Sequence, residues 1–239
     1  MKNGKQTVEA TVQAGIRKAS LAPGRMITAG ILAGAFIAFG AYGSQIASLY
    51  GNKVVSSLVF PIGLTMVILT GSELFTGNSL MSMSVMDGKN TIAAVLKNWL
   101  FVYIGNLIGS LLVAAAAGMI SSGDLAEVMK SAAAAKASLP VIQMIVKGIL
   151  CNILVCMAVY CQTACEEPAG KIPALYLPTF LFVLSGFEHS IANMYFIPAG
   201  IIAGASGIFT GMLVNLLFVT IGNIIGGVLI SFLLYQANH

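Results

Sequence analysis

The sequence predicts an all-α membrane protein: six transmembrane helices in an inverted 3+3 repeat, with the second and fifth helices broken. Three observations predict it. Of 239 residues, 58% are hydrophobic and 8% charged, whereas a soluble domain carries roughly 25% charged residues. The apolar residues fall into six tracts, each long enough for the about 20 helical residues that cross a bilayer core. Two tracts are interrupted by matching polar octets, Gly71-Ser72-Glu73-Leu74-Phe75-Thr76-Gly77-Asn78 and Gly186-Phe187-Glu188-His189-Ser190-Ile191-Ala192-Asn193. Both read G-x-E-x-x-x-x-N. Mean hydropathy is +0.93.

Residues 1–25 carry five of the cations and a stripe of Val8, Val12 and Ile16 at four-residue spacing. That pattern predicts an amphipathic helix at the cytoplasmic interface, an anchor or a gate. Residues 26–239 are expected to form one domain of six transmembrane helices. Its first tract runs from Ile27 to Leu49, with Gly30 and Gly34 as a close-packing face. The second starts at Val54, breaks at 71–78 and resumes to Met86; the third spans Thr91–Ile120 and the fourth Leu139–Cys165. The fifth starts at Ile172, breaks at 186–193 and resumes to Ile202; the sixth runs from Gly207 to Tyr235. Short connectors are expected between them.

Lysine and arginine set the orientation. With the N-terminus inside, the inner segments hold Lys2, Lys5, Arg17, Lys18, Arg25, Lys89, Lys97 and Lys171, and the outer ones Lys53, Lys130 and Lys136. Both termini are therefore expected in the cytoplasm, with the chain in the inner (cytoplasmic) membrane. Net charge is +4, without a basic block for nucleic acid. Cys151, Cys156, Cys161 and Cys165 share one apolar tract and lack histidine partners, so they read as packing residues rather than metal ligands or disulfides. No phosphate-binding loop occurs, which argues against an ATP-driven pump. No cofactor is expected.

The halves of the chain echo each other. Lys18-Ala-Ser-Leu-Ala-Pro23 matches Lys136-Ala-Ser-Leu-Pro140, Gly30-Ile-Leu matches Gly148-Ile-Leu, and Gly105-Asn-Leu-Ile-Gly109 matches Gly222-Asn-Ile-Ile-Gly226. With the octets, the offsets are 118, 118, 117 and 115. Matches in constant order at nearly constant offset indicate duplication, with copies near 18–120 and 136–237. Three spans per copy invert the second relative to the first, and two broken helices then place a binding site between the halves.

The polar residues at that depth carry the chemistry. Glu73 and Glu188 are expected to accept hydrogen bonds from backbone amides freed by the breaks, with Asn78 and Asn193 pinning the other ends and Asn152 joining them. His189 can donate a hydrogen bond or a proton to a small anion, with Thr76 a second donor from the opposite octet. Lys18 and Lys136, repeat mates near opposite faces, can concentrate anions in the two vestibules. Lys147 snorkels or lines the path.

Gly34-Ala-Phe-Ile-Ala38, Leu74-Phe-Thr-Gly-Asn78, Lys97-Asn-Trp99 with Gly105-Asn106, Cys151-Asn-Ile-Leu-Val-Cys156, Phe187-Glu-His-Ser-Ile-Ala-Asn193 and Thr220-Ile-Gly-Asn223 resemble the signatures of the formate/nitrite transporter family. The resemblance covers nearly the whole chain. It implies an aquaporin-like fold, a homopentamer and one pore per protomer, with two hydrophobic constrictions around a central histidine chamber. By motif position, Leu64, Leu74 and Phe182 would line constrictions, with Phe75 nearby. His189 would face the chamber, Thr76 would lie on the broken second helix, and Asn152 and Lys136 would be the pore asparagine and vestibule lysine. The implied cargo is a small monovalent weak-acid anion: formate, nitrite or hydrosulfide. Glu73 and Gly77-Asn78 look more like the hydrosulfide branch. The expected function is such an anion pore in the lipid bilayer, with proton transfer at His189 and no enzyme activity. The alternative is an aquaporin-type channel for neutral solutes, although no Asn-Pro-Ala motif occurs.

Overall fold

Helix signals in the chain sit where elements begin and end. Asn3, Asn52 and Thr91 accept amide hydrogen bonds as N-caps, and Pro23, Pro61 and Pro168 stand in first turns, where a missing amide costs nothing. The computed structural model, which describes residues 1–239, accordingly contains eleven α-helices and no strand. They are α1 (Gly4–Ala19), α2 (Pro23–Tyr50), α3 (Lys53–Val59), α4 (Pro61–Thr70), α5 (Ser82–Met86), α6 (Ile92–Ile120), α7 (Gly123–Ala137), α8 (Val141–Ala164), α9 (Pro168–Ser185), α10 (Ser190–Ile202) and α11 (Phe209–Asn238).

Spans one, three, four and six are the unbroken helices α2, α6, α8 and α11. The second span is α3–α4, which stops at Thr70 and resumes through a short 3-10 turn, Gly77–Met81, into α5. The fifth is α9 and α10, which meet at a bend of 51°. Gly71 and Gly186 close α4 and α9 in the left-handed region, at φ +66° and +70°. A side chain would be strained at either position, which is why both breaks open on glycine.

Two helix pairs form the backbone-to-backbone seams, α2 with α6 and α8 with α11. A Cβ added at Gly30 would stand 2.9 Å from the Val102 carbonyl, and one at Gly148 would stand 2.9 Å from the Val219 carbonyl. At Gly109 an added Cβ would overlap the Ile31 carbonyl. Backbone cannot yield as a side-chain tip can, so Gly109→Ala is expected to cost about 1–3 kcal/mol, read as a lower Tm of the solubilised protein. An unchanged Tm would mean that the seam opens without cost.

The connector expected between the third and fourth spans is instead a 15-residue helix, α7. Its alanines favour helix but are too few and too interspersed with charge to read as a span. Its end, Lys136-Ala137-Ser138, matches the end of α1, Lys18-Ala19-Ser20. In both halves of the chain a short helix thus precedes three spans. On α1, Val8 and Val12 are buried in protein, against Leu80, Met83, Cys156, Tyr160 and Tyr235. The stripe covers the ends of α5, α8 and α11 rather than facing lipid. Lys2 donates its amide to the Ala164 carbonyl at 2.8 Å, and Met1 pairs with Glu166 at 2.8 Å. His239 meets Asp87 at 3.1 Å. Both ends of the chain therefore lie on the face that carries the turns near residues 87 and 165.

Candidate functional site

A helix broken inside a membrane leaves amides and carbonyls that no water can satisfy. Here one asparagine answers each break. Asn106, at the middle of α6, accepts from the Phe75 amide at 2.9 Å and donates to the Glu73 carbonyl at 2.9 Å and the Gly30 carbonyl at 2.8 Å. Asn223 of α11 repeats the pattern. It accepts from the Ser190 amide at 2.9 Å and donates to the Glu188 carbonyl at 3.0 Å and the Gly148 carbonyl at 2.8 Å. Both asparagines are fully buried.

This corrects the role expected for the carboxylates, which do not take the freed amides. Glu73 accepts from Lys18 at 2.8 Å and from Asn78 at 2.7 Å. Glu188 accepts from Lys136 at 3.0 and 3.1 Å and from Asn193 at 2.7 Å. Asn78 and Asn193 also donate to Asn98 and Asn215, at 2.8 and 2.7 Å, and each of those returns a bond to the carbonyl of Lys18 or Lys136. A buried carboxylate is tolerable when paired and hydrogen-bonded. The result is a Lys–Glu–Asn–Asn quartet in each half, tying α1 or α7 to the adjacent break. Lys18 and Lys136 are thus ion-paired with carboxylates rather than free.

Between the quartets lies an apolar seam. Phe60, Phe182, Leu64, Leu74 and His189 border one narrow space that leaves no room for a water molecule. Phe60 meets Phe182 edge-on with centroids 5.6 Å apart, and Phe182 stacks on His189 at 5.9 Å. The imidazole Nδ1 accepts the Ala192 amide at 3.1 Å, and Nε2 lies 2.8 Å from Thr76 Oγ1. That network assigns the proton to Nε2, which donates to Thr76 and leaves the threonine O–H free to donate onward. The two breaks therefore meet at one donor pair, His189 from one half and Thr76 from the other.

A vestibule opens on each side. One, of about 140 Å³, is bordered by Phe60, Lys136, Phe182, Gly186, His189 and Phe196. The other, of about 600 Å³, is bordered by Arg17, Lys18, Arg25, Val67, Glu73 and Thr163.

Two residues expected on the path stand elsewhere. Phe75 packs edge-on against Tyr103 and Trp99 of α6, at 4.9 and 6.0 Å, because its backbone is turned toward Asn106. Asn152 is fully buried and donates to the Asn223 carbonyl at 2.6 Å and Ser79 Oγ at 3.1 Å, so it braces the wall behind Thr76. Lys147 is half-buried, and its carbonyl accepts the Glu188 amide at 3.3 Å. Phe60, Asn98, Asn106, Asn215 and Asn223 are the residues sequence reasoning did not place at the site. The signal for the last four was present: an asparagine inside an apolar span at the same offset in both halves.

Six apolar spans, two broken at mid-depth and meeting at a donor pair between aqueous vestibules, define a membrane protein of the solute-pathway class. The formate/nitrite transporter profile matches residues 5–237, and the chain belongs to that family. It is 36% identical to a probable formate transporter of Methanothermobacter thermautotrophicus, over 89% of this chain and 88% of that one. It is 34% identical to the formate channel FocA of Escherichia coli K12, over 93% and 89%. Among solved structures it resembles an FNT family ion channel with a TM-score of 0.90 at 30% identity, over 98% of this chain and 99% of that one. It also resembles a pentameric formate channel with formate bound, with a TM-score of 0.80 at 29% identity, over 90% and 96%.

Proposed function

We propose that this protein is a pore for small monovalent weak-acid anions, formate first, across the cytoplasmic membrane. It works as a homopentamer with one pore in each protomer and with both termini in the cytoplasm. The observation that carries the reading is the Thr76–His189 donor pair inside an apolar seam flanked by two vestibules. Formate is placed first because relatives at 34–36% identity bear that name. Glu73 and Asn78, the residues that pointed to hydrosulfide, direct their side chains to Lys18, Asn98 and each other, so neither is available to select a cargo.

An ion in the seam would lose its hydration without a counter-charge, at a large cost. The conjugate acid of a weak-acid anion avoids that cost, so the cargo takes a proton from the solution in the entry vestibule, crosses the seam as the neutral acid, and returns the proton to the solution on the far side. Thr76 O–H, held in place by the imidazole Nε2–H behind it, then donates to its carbonyl oxygen. In this reading His189 orients a donor rather than supplying a proton, because its Nδ1 lone pair is already used by the Ala192 amide. His189→Asn keeps a donor but cannot titrate. Proteoliposome flux of formate in this variant is expected to fall about tenfold, the worth of roughly one hydrogen bond, with the pH profile unchanged. A flattened pH profile would show that the imidazole relays the proton.

The defining experiment compares formate, nitrite and hydrosulfide with glycerol at two pH values in proteoliposomes. Fast anion uptake without glycerol uptake is expected. Glycerol uptake without anion uptake would overturn the reading in favour of a neutral-solute channel.

A further inference from the structure

We infer that Lys53, rather than Lys136, is the residue that collects the anion at the smaller vestibule. The inference rests on the proposed anion pathway and deepens it. Three lysines were expected in the loops on this side of the bilayer, Lys53, Lys130 and Lys136. Two are neutralised. Lys130 pairs with Glu127 at 2.5 Å, and Lys136 meets both oxygens of Glu188 at 3.0 and 3.1 Å. An ammonium and a carboxylate in contact act on an approaching ion as a dipole, whose field falls off faster than that of a single charge.

Lys53 has no such partner: its Nζ makes no hydrogen bond or ion pair within the chain, and the residue is exposed. It begins α3, capped by Asn52, and so stands at the membrane boundary of the second span. Its ammonium reaches across to the fifth span. A Cβ placed on Gly186 would stand 3.6 Å from Lys53 Nζ. Gly186 is itself a wall of the vestibule, alongside Lys136, Glu188 and His189. Gly186 has a positive φ and no side chain, so nothing lies between the ammonium and the vestibule wall.

A full charge at the mouth of an apolar-walled funnel raises the local anion concentration. Lys53 touches no member of the seam, so its effect falls on capture and not on passage. A single charge at such a mouth is expected to raise capture about fivefold at ~10 mM salt, where screening is weak, and hardly at all at ~500 mM.

The test measures formate uptake by the full-length protein in proteoliposomes of uncharged lipid, at low and high salt, with formate presented to the smaller vestibule. Lys53→Gln is expected to lower uptake at sub-saturating formate about fivefold in low salt, and to leave saturated uptake and high-salt uptake unchanged. Lys53→Arg is expected to match the parent. Lys53→Cys treated with a cationic methanethiosulfonate is expected to regain uptake, and treated with an anionic one to lose more. The treated parent is the control for the native cysteines. Equal uptake by Lys53→Gln and the parent in low salt would overturn the assignment. So would a loss that persists at high salt or at saturation. A parent that carries no formate at all would instead refute the anion pathway, and the two failures are therefore separable.

Discussion

Asn106→Leu and Asn223→Leu are each expected to lower the Tm of the solubilised protein sharply. Leucine has the same number of side-chain heavy atoms as asparagine and the same branching at Cγ, so no cavity forms, and the loss is chiefly polar. In Asn106→Leu the Phe75 amide and the Glu73 carbonyl lose their partner at mid-membrane. Each buried group left unpaired costs about 1–3 kcal/mol, so the pair costs roughly 2–6 kcal/mol against a total of about 5–15 kcal/mol. Asn223→Leu strips the Ser190 amide and the Glu188 carbonyl in the same way. Thermal unfolding monitored by size-exclusion chromatography in detergent reads the effect directly. A leucine variant with a parental Tm would show that water or lipid headgroups reach the breaks.

The second large effect belongs to Glu188. In Glu188→Gln, Lys136 keeps its charge in a site where the lysine side chain is only 19% exposed and the glutamate 6%. Removing one member of a buried ion pair costs about 3–5 kcal/mol, because the other charge stays behind. The partial exposure of Lys136 places the expected loss near about 3 kcal/mol. The double variant Lys136→Met/Glu188→Gln is expected to recover most of it, since no uncompensated charge remains. Lys18 in the other quartet is 30% exposed, and Glu73→Gln is expected to cost less. A Glu188→Gln protein of full stability that no longer passes formate would move the carboxylate from scaffold to permeation.

Much of this architecture was legible in the chain. The six spans, the two breaks and the choice of Thr76 and His189 as donors followed from apolar run length and from two octets of one pattern, although the two side chains bond to each other rather than standing apart. Three things were not. The helix α7 is too short and too mixed in character to register as an apolar tract, and only its likeness to α1 exposes it. The donors that would meet Glu73 and Glu188 could not be chosen from sequence, because Lys18 is 55 residues from Glu73 and Lys136 is 52 from Glu188. The inward turn of Phe60 depends on the junction between α3 and α4 at Pro61, which sequence shows as a kink without a direction. Asn152 and Phe75 were placed on or near the path by analogy of motif, Asn152 being expected also to join the bracing asparagines. Their partners, the Asn223 carbonyl and the rings of Tyr103 and Trp99, turn them into the wall.

The glycine seams have a mechanical consequence. Where Gly30 and Gly34 meet α6, and Gly222 and Gly226 meet α8, peptide planes touch without side chains between them. Such a joint has no rotamers to sample and almost no compliance. The two helix pairs therefore behave as stiff posts, and the spacing between their axes has one value. Whatever flexing the bore undergoes as cargo passes is confined to parts hung on the posts: the phenyl rings of Phe60 and Phe182, the turns at 71–76 and 186–189, and the short helices α1 and α7. With the frame fixed, the width of the seam at any moment is set by those rings and turns alone.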